Sequence, residues 1–273
     1  MRIQDRTVAT YEKLKGPTRP GKPRETGLTV MIDPGPSDFG WTGTTALEDL
    51  LEYACEFIDY AKIFAVNGLI FPVELIKKVN GIYRDYDVKP FCGGILFETA
   101  FQQNAVDDLI THLHKIDATG LEISENYLEL TPEERKQEID RFRKAGFDVV
   151  FEFGRKEPSG ALSLDYIGKI VDDAMENGAV HVILEQSELD MLEEAAPDEF
   201  KKMPQQSWYK HVVIEPDPFR FPKQHIDLIR DFGPDVSMCN VTPEQVIKLE
   251  QFRLGIGRPV QYSFLQDALA QKG

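Results

Sequence analysis

The sequence predicts one (β/α)₈ barrel, and three observations carry this prediction. Short β-rich runs alternate with amphipathic helical stretches almost from end to end, in eight pairs. Most of the β-rich runs are unbroken apolar segments, which is typical of parallel strands that are covered on both faces. Eight units within about 230 residues leave about 28 residues per unit, and this length favours a closed barrel over an open, doubly wound sheet.

The strands are predicted from these apolar runs, and the helices from the residues that start them. The predicted strands are LTVMID (28–33), YAKIFAV (60–66), VKPFCG (88–93), GLEIS (120–124), DVVFEF (148–153), VHVILE (180–185), HVVIE (211–215) and DVSMCN (235–240). Threonine followed by proline and glutamate opens two helices, at Thr131 and Thr242, and Thr44 and Thr45 precede the first helical stretch. Helix starts therefore follow strand ends, in the order that a barrel requires.

Two segments lie outside the predicted barrel of residues 28–254. Residues 1–27 are predicted to form an irregular amino-terminal arm, because the run KGPTRPGKPRE is rich in proline, glycine and basic residues and cannot sustain a helix. Residues 255–273 form a short carboxy-terminal tail.

The charge of the chain excludes some classes of partner. It has 31 Lys and Arg against 46 Asp and Glu, a formal charge of −15. Such a surface repels phosphate backbones, so a nucleic acid is not an expected partner. A small anionic substrate would need a local basic pocket within this acidic field.

We also expect the protein to form a homo-oligomer.

The cellular location is predicted from the cysteines and from the opening of the chain. The residues MRIQDRTVATYEKLKG are charged and lack the apolar region of a signal peptide, and no run is long enough for a membrane span. Cys55, Cys92 and Cys239 are far apart and have no metal-ligand or redox spacing. We therefore expect a protein of the reducing cytoplasm, with no membrane partner.

Carboxylates stand at or just after the predicted strand ends, where barrel enzymes place their chemistry. They are Asp33, Glu98, Glu122, Glu152, Glu185 and Glu215, and Asn240 ends the last strand. Any one of them could be a salt-bridge partner or a helix cap. Because carboxylates that converge repel one another, the set predicts a neutralising cation. We expect Mg²⁺, or Mn²⁺ in its place, bound by Glu122, Glu152, Glu185 and Glu215.

Basic residues at the same ends are fewer. Lys62 lies inside an apolar strand, so we expect it to point into the barrel mouth and meet a carboxylate or an anionic substrate; the alternative is a lysine on the helix-facing side. Arg155 and Lys156 follow the fifth strand, and Arg220 and Lys223 follow the seventh. They could hold a phosphate or carboxylate, or could simply be solvated loop charges.

The histidines and the first loop give weaker signals. His112 and His114 are two residues apart on a predicted helix, so they face different directions and do not suit joint metal binding. His181 and His211 stand at strand starts and are predicted to be structural. Residues 39–44 form a glycine-rich loop without a nucleotide-binding fingerprint.

The chain resembles the phosphosulfolactate synthases over residues 22–254. The residues that carry the resemblance are KPRETGLTVMID (22–33), IDYAK (58–62), GGILFE (93–98), LEIS (121–124), FEFGRK (151–156), VILE (182–185), VIEP (213–216) and FGPDVSMCNVTPEQVIKLEQFRLG (232–255). Members of this family are Mg²⁺-dependent barrels that add sulfite to phosphoenolpyruvate on the way to coenzyme M. The resemblance implies this lyase activity, with Lys62, Glu98 and Asp33 as catalytic candidates and Arg155, Lys156, Lys223 and Asn240 as substrate-binding candidates.

The sequence departs from the family pattern where basic groups are expected. Pro34 stands where the family has a lysine, and Gln186 stands where it has an arginine. The turn after strand two reads Phe64-Ala65-Val66-Asn67-Gly68, and the loop after strand seven reads EPDPFRFPKQH. Because the carboxylates are kept while cations are lost, we expect a retained metal site beside an altered anion site.

Two further functions stay open from the sequence. The first is a metal-dependent relative that acts on another small carboxylate-bearing anion. The second is a noncatalytic barrel like the plant heat-stress relatives of the family. A convergent set of carboxylates would favour an enzyme over the noncatalytic barrel.

Overall fold

The chain forms a closed barrel of eight parallel strands in the order β1 to β8, surrounded by helices. The computed structural model describes residues 11, 13–14, 16–17, 19–35, 43–154, 163–257 and 262–270. The strands are β1 (Thr29–Asp33), β2 (Tyr60–Ile63), β3 (Lys89–Cys92), β4 (Gly120–Ile123), β5 (Asp148–Phe153), β6 (His181–Glu185), β7 (Val212–Glu215) and β8 (Met238–Val241). The predicted fold class is confirmed.

Helices occupy the connections between the strands. In the described part of the chain they are α1 (Thr44–Ala54), α2 (Asn67–Ile70), α3 (Val73–Asp85), α4 (Gly94–Gln102), α5 (Val106–Lys115), α6 (Pro132–Lys144), α7 (Leu164–Asn177), α8 (Gln186–Ala195), α9 (Pro197–Phe200), α10 (Lys223–Phe232), α11 (Val246–Arg253) and α12 (Tyr262–Ala270). None of the helices described is long and apolar enough to span a membrane.

Several boundaries differ from the predicted ones. Strand β2 ends at Ile63, because the chain turns through a left-handed Ala65 and starts α2 at Asn67. Strand β8 begins at Met238, three residues later than predicted, and His211 lies in a single 3₁₀ turn before β7. Three of the described connections hold two α-helices where one was predicted, and the tail contains α12.

Helix starts follow the capping residues that the sequence shows. The Thr131 hydroxyl accepts from the Glu134 amide at 3.2 Å, and the Glu134 carboxylate accepts from the Thr131 amide at 2.8 Å. Thr242 forms the equivalent reciprocal pair with Gln245. These capping boxes satisfy backbone amides that no helical carbonyl can reach, and they fix where the chain leaves the barrel.

Two apolar layers follow from the alternation of side chains along each strand. The layer between strands and helices contains most of the buried apolar residues. The layer inside the barrel contains Leu28, Val30, Phe91, Val150, Ile183, Val213 and Cys239. Because side chains alternate between the two faces of a strand, a residue two positions after an inward-facing residue also faces the inside of the barrel. Inward positions near the strand ends therefore face the carboxyl-terminal mouth of the barrel.

Candidate active site

A buried lysine lies among three carboxylates at the mouth of the barrel. The Lys62 Nζ atom is 2.9 Å from a Glu122 oxygen, 3.1 Å from a Glu215 oxygen and 3.5 Å from a Glu152 oxygen. All four side chains are buried. Because Lys62 follows the inward Tyr60 by two positions, its side chain points into the barrel, as expected, and meets carboxylates there.

The charges in this cluster do not balance. Burial alone would lower the pKa of Lys62, but the three surrounding carboxylates outweigh it and hold that pKa well above its usual value. Burial raises the pKa of Glu152 well above its usual value, and the negative charges of Glu122 and Glu215 add to this effect. The Lys62 ammonium lowers the pKa of Glu152, but by less. These effects favour a charged lysine and a protonated Glu152.

Glu122 is held in place by the start of α4. The Gly94 amide donates to its other carboxylate oxygen at 2.7 Å. A side chain at Gly94 would clash with Ser124, so the backbone can approach Glu122 only because this residue is glycine. Sequence reasoning missed this role of Gly94, although two consecutive glycines directly after a strand are a signal for close backbone approach.

A cleft of about 790 Å³ opens on one side of this cluster. Glu185, Glu215 and Asn240 line it, together with the loops that follow β1, β2, β6 and β7. Glu185 and Glu215 occupy paired positions on the neighbouring strands β6 and β7. Asn240 has a left-handed backbone with φ 51°, and its buried side-chain oxygen has no hydrogen-bond partner among the described residues. Glu215 therefore connects the buried lysine with the cleft.

Two predicted catalytic residues lie apart from the cluster. Asp33 is one position beyond the inward Ile32 and faces the helices, where it accepts a hydrogen bond from the Tyr83 hydroxyl at 2.7 Å. Burial raises the pKa of Asp33, against the hydrogen bonds from Tyr83 and Gly35. The structure does not bring Asp33 to the mouth, because the alternation of β1 turns it to the other face.

Glu98 also lies apart, although it is fully buried. Its carboxylate accepts hydrogen bonds from the Ser124 hydroxyl, the Asn126 amide at 3.0 Å and the Tyr127 amide at 2.9 Å. These contacts fix the loop between β4 and α6. Glu98 thus holds a loop close to Glu122 and does not line the cleft among the residues described there.

The predicted substrate-binding cations are divided. Arg220 lines the cleft, and its guanidinium lies 3.0 Å from Asp190. Lys223 is exposed and its ammonium lies 2.7 Å from Asp227, one turn along α10. Arg155 and Lys156 lie outside the described residues.

The donor atoms at the mouth suit a divalent cation with a small protein ligand set. Within the described ranges, no three His, Cys, Asp or Glu side chains come together to hold a metal by themselves. Mg²⁺ is usually bound by one or two carboxylates, with waters and substrate completing its shell. Glu185, Glu215 and the Asn240 oxygen fit this description. Of the four predicted metal ligands, Glu122 and Glu152 contact Lys62 inside the barrel instead.

Apolar side chains form the rest of the cleft, and sequence reasoning did not assign them. They include Ile32, Pro34, Phe64, Phe71 and Phe219. Phe219 lies in the loop after β7, where the sequence departs from the family pattern. That departure was the sequence signal that could have drawn attention to this residue. Asn67 supports this wall, because its side-chain amide donates to the Pro34 carbonyl at 3.0 Å.

The fold and the cleft define a (β/α)₈-barrel protein with a carboxylate-rich mouth, and comparison with known proteins identifies its family. A family model described as (2R)-phospho-3-sulfolactate synthase (ComA) matches residues 17–258. The chain belongs to this phosphosulfolactate synthase family, as the resemblance implied.

Individual relatives agree with this assignment. The chain is 28% identical over 249 residues to a phosphosulfolactate synthase of Methanothermobacter thermautotrophicus, covering 88% of this chain and 93% of that one. It is 29% identical over 251 residues to a phosphosulfolactate synthase of Bacillus subtilis, covering 89% and 95%. Among solved structures, a putative dihydrodipicolinate synthetase from Pseudomonas aeruginosa superposes with a TM-score of 0.50 at 10% identity, covering 89% and 78%. This last similarity concerns the barrel fold alone.

Proposed function

We propose that this chain catalyses the addition of sulfite to phosphoenolpyruvate in the cleft at the carboxyl-terminal mouth, and so forms phosphosulfolactate. The family assignment supports this reaction class, because the matching family is described by that product. The observation that carries the proposal is the Lys62 cluster, which reaches the cleft through Glu215. A noncatalytic barrel has no need of several buried carboxylates that converge on one mouth.

The proposed chemistry has two steps. The sulfur lone pair of sulfite forms a bond with the methylene carbon of phosphoenolpyruvate, and the electrons of the carbon–carbon double bond move towards the carboxylate. A proton then binds to the neighbouring carbon, and the phosphate ester stays intact. Negative charge on the carboxylate therefore grows in the first step, so a site that performs it must hold positive charge close by.

Residues of this chain can hold the proton and offset part of the negative charge at the mouth. Lys62 keeps a buried positive charge 3.1 Å from Glu215, which lines the cleft. The raised pKa of Glu152 keeps a proton within the same cluster, 3.5 Å from Lys62. We propose that this cluster is the source of the proton, delivered towards the cleft through Lys62 and Glu215.

Glu185, Glu215 and Asn240 are the residues proposed to hold Mg²⁺, with Mn²⁺ as a substitute. When bound, the ion would polarise the substrate carboxylate and stabilise its charge. The expected homo-oligomer and cytoplasmic location stay predictions.

A second candidate is an addition or elimination on a different carboxylate-bearing substrate, and the cleft favours it in one respect. Among its described lining residues Arg220 is the sole cation, and Asp190 already pairs with it. Gln186, at the position of the family arginine, donates to Asp190 at 2.9 Å. A substrate with fewer negative charges than phosphoenolpyruvate needs fewer such cations.

Incubation with phosphoenolpyruvate, sulfite and Mg²⁺, followed by mass analysis of the products, tests the proposal. We expect phosphosulfolactate, with a turnover below the order of 10 per second that is typical of enzymes, because cations of the family are missing. Glu215→Gln should abolish it, whereas Glu176→Gln, an exposed glutamate on α7, should leave it unchanged. Absent product from a metal-loaded wild type would contradict the proposed reaction and favour the second candidate.

A further inference from the structure

The described lining of the cleft contains one basic side chain, that of Arg220. The other charged residues of this lining are carboxylates: Glu185, Asp190, Glu215 and Asp217. The proposed Mg²⁺ would offset Glu185 and Glu215 and bind the carboxylate of the substrate. The phosphate group of phosphoenolpyruvate carries further negative charge, so a second positive group must lie within its reach. Arg220 is the described residue of the cleft that can provide it.

The loop after β7 holds the backbone of Arg220 in a defined position. The Arg220 amide donates to the Asp217 carbonyl at 3.0 Å and closes a turn. The Asp217 amide donates to the side-chain oxygen of Gln224 at 2.8 Å. The side-chain amide of Gln245 donates to the Pro218 carbonyl at 3.0 Å. Because both glutamines are buried, the turn is fixed to the rest of the barrel before any ligand binds.

The guanidinium of Arg220 is held through one of its nitrogens. Its Nη1 atom donates to one Asp190 oxygen at 3.0 Å, and the Gln186 side-chain amide donates to the other Asp190 oxygen at 2.9 Å. The Nε and Nη2 atoms of Arg220 make no hydrogen bond with the described part of the chain, and the side chain is 56% exposed. This second edge can donate two parallel hydrogen bonds, which is the pairing that phosphate oxygens accept.

We propose that Arg220 binds the phosphate group of phosphoenolpyruvate, through the Nε–Nη2 edge of its guanidinium. The ion pair with Asp190 does not prevent this contact, because both side chains are in contact with water and exposed ion pairs are weak. The inference rests on the proposed addition of sulfite to phosphoenolpyruvate, in the same site. It names the residue that selects the phosphate-bearing substrate over an acid without a phosphate.

Calorimetric titration of the full chain, saturated with Mg²⁺, tests this assignment. The probes are 2-phosphoglycolate and glycolate, which share the carboxylate and differ in the phosphate, and neither has a double bond to which sulfite could add. We expect 2-phosphoglycolate to bind at least about tenfold tighter than glycolate, because the phosphate gains a charge-assisted contact. Equal affinity of the two acids, or no binding of 2-phosphoglycolate, would overturn the inference.

Variants assign the effect to the single arginine. Arg220→Gln should weaken 2-phosphoglycolate binding by at least about tenfold and leave glycolate binding unchanged. Arg230→Gln removes an exposed arginine on α10 and changes the net charge by the same amount, so it controls for the overall field and should change neither. If Arg220→Gln binds 2-phosphoglycolate as the wild type does, Arg220 does not hold the phosphate.

Titration with sulfite distinguishes the two anions of the reaction. We expect Arg220→Gln to change sulfite binding by less than about threefold, since the proposal assigns the guanidinium to the phosphate. A loss of affinity that is larger for sulfite than for 2-phosphoglycolate would contradict the phosphate assignment.

The outcome is separable from that of the sulfite reaction. If the chain forms phosphosulfolactate and Arg220→Gln has an unchanged KM for phosphoenolpyruvate, the role of Arg220 is contradicted and the proposed reaction stands. If 2-phosphoglycolate binding depends on Arg220 but no phosphosulfolactate forms, the phosphate site is supported and the proposed reaction is contradicted.

Discussion

At the amino-terminal end of the barrel, the buried charges of Arg24, Asp59 and Arg253 each have dedicated partners, whereas at the carboxyl-terminal end one lysine faces three glutamates. Arg24 pairs with Asp59 at 2.8 Å, and Asp59 also accepts from the Thr29 amide at 2.9 Å. Arg253 is buried and donates to the backbone carbonyls of Leu28, Pro234 and Val236.

The difference separates stability from function within one fold. The Arg24–Asp59 pair and the hydrogen bonds of Arg253 tie residues of the arm and the starts of β1 and β8 to the barrel. None of these three side chains lines the described cleft at the mouth. The carboxyl-terminal cluster keeps an excess of negative charge in a buried site, which is typical of places where a ligand or a proton is bound. Substitutions at the two ends should therefore have different consequences.

Replacing the central lysine should have the largest effect. Lys62→Met leaves the buried carboxylates of Glu122 and Glu215 without their ammonium, beside the protonated Glu152. We therefore expect a loss of about 3 to 5 kcal/mol in the free energy of unfolding at pH 8, and no turnover. The loss should shrink at pH 6. Without the ammonium, protonation of the buried carboxyl groups removes their mutual repulsion, so the folded state gains stability relative to the unfolded chain as the pH falls.

Urea unfolding at both pH values checks this expectation, with Lys78→Met, an exposed lysine on α3, as the control. A Lys62→Met protein as stable and active as the wild type would show that the lysine is not central to the mouth.

An amino-terminal charge should matter for stability alone. Arg253→Met removes the side-chain donor from the carbonyls of Leu28, Pro234 and Val236, of which the Leu28 carbonyl keeps the Met238 amide as a donor. We therefore expect a loss of about 3 kcal/mol in unfolding free energy. Turnover per folded molecule should stay unchanged, because Arg253 does not belong to the cleft lining. Arg230→Met, an exposed arginine on α10, should stay within about 0.5 kcal/mol of the wild type. A selective loss of kcat in Arg253→Met would contradict the contrast between the two ends.

A histidine at the amino-terminal end should make stability depend on pH. Burial, together with the smaller effects of His211 and Lys89, lowers the pKa of His181 to about 4, and Asp148 opposes this shift. The unfolded chain, with a histidine pKa of about 6.5, then binds more protons between these values, so stability falls as the pH drops. We expect a loss of about 2 kcal/mol between pH 7 and pH 5 from this residue.

His181→Gln should reduce that pH dependence by the same amount in urea titrations at the two pH values. The Tyr60 hydroxyl, 3.3 Å from the ring nitrogen of His181, keeps a polar partner in this variant. An unchanged slope of stability with pH would show that His181 is not held neutral.

The smallest effect is expected for the protonated glutamate. Glu152→Gln replaces a neutral acid by a neutral amide of the same shape, so the free energy of unfolding at pH 7 should change by less than about 1 kcal/mol. Turnover should still fall, because the amide cannot release the proton. A loss of more than about 3 kcal/mol would indicate instead that Glu152 is ionised.

The barrel and much of its mouth follow from the sequence, because both depend on local periodicity. Alternation along the strands places Glu122, Glu152, Glu185 and Glu215 on inward positions. The same alternation, applied to β1 from Val30, places Asp33 on the helix side. Its separation from the mouth could thus have been predicted from the alternation.

Other features depend on contacts between distant parts of the chain. Lys62 and Glu215 are 153 positions apart in the sequence. The sequence therefore predicted that Lys62 meets a carboxylate or an anionic substrate, but it could not show which carboxylate. The role of Glu98 arises from the path of the loop after β4, which has no periodic signal. The apolar wall joins the chain after β1 and β2 with the loop after β7, which are far apart in the sequence. Single exposed aromatic residues carry no signal for such a meeting.

Metal binding is the most direct test of the claim that the carboxylates at the carboxyl-terminal end of the barrel form a binding site. Mn²⁺ is titrated into metal-free protein and followed by calorimetry and electron paramagnetic resonance. The comparison includes the wild type, the Glu185→Gln, Glu215→Gln double variant and a control with the exposed pair Glu176→Gln, Glu194→Gln.

We expect one Mn²⁺ to be bound by the wild type and by the control, and binding at least about tenfold weaker in the mouth variant, because two of the three proposed ligand groups lose their charge. If the wild type binds no metal at millimolar concentration, or if the mouth variant binds it as tightly as the wild type does, the carboxyl-terminal carboxylates are not a metal site.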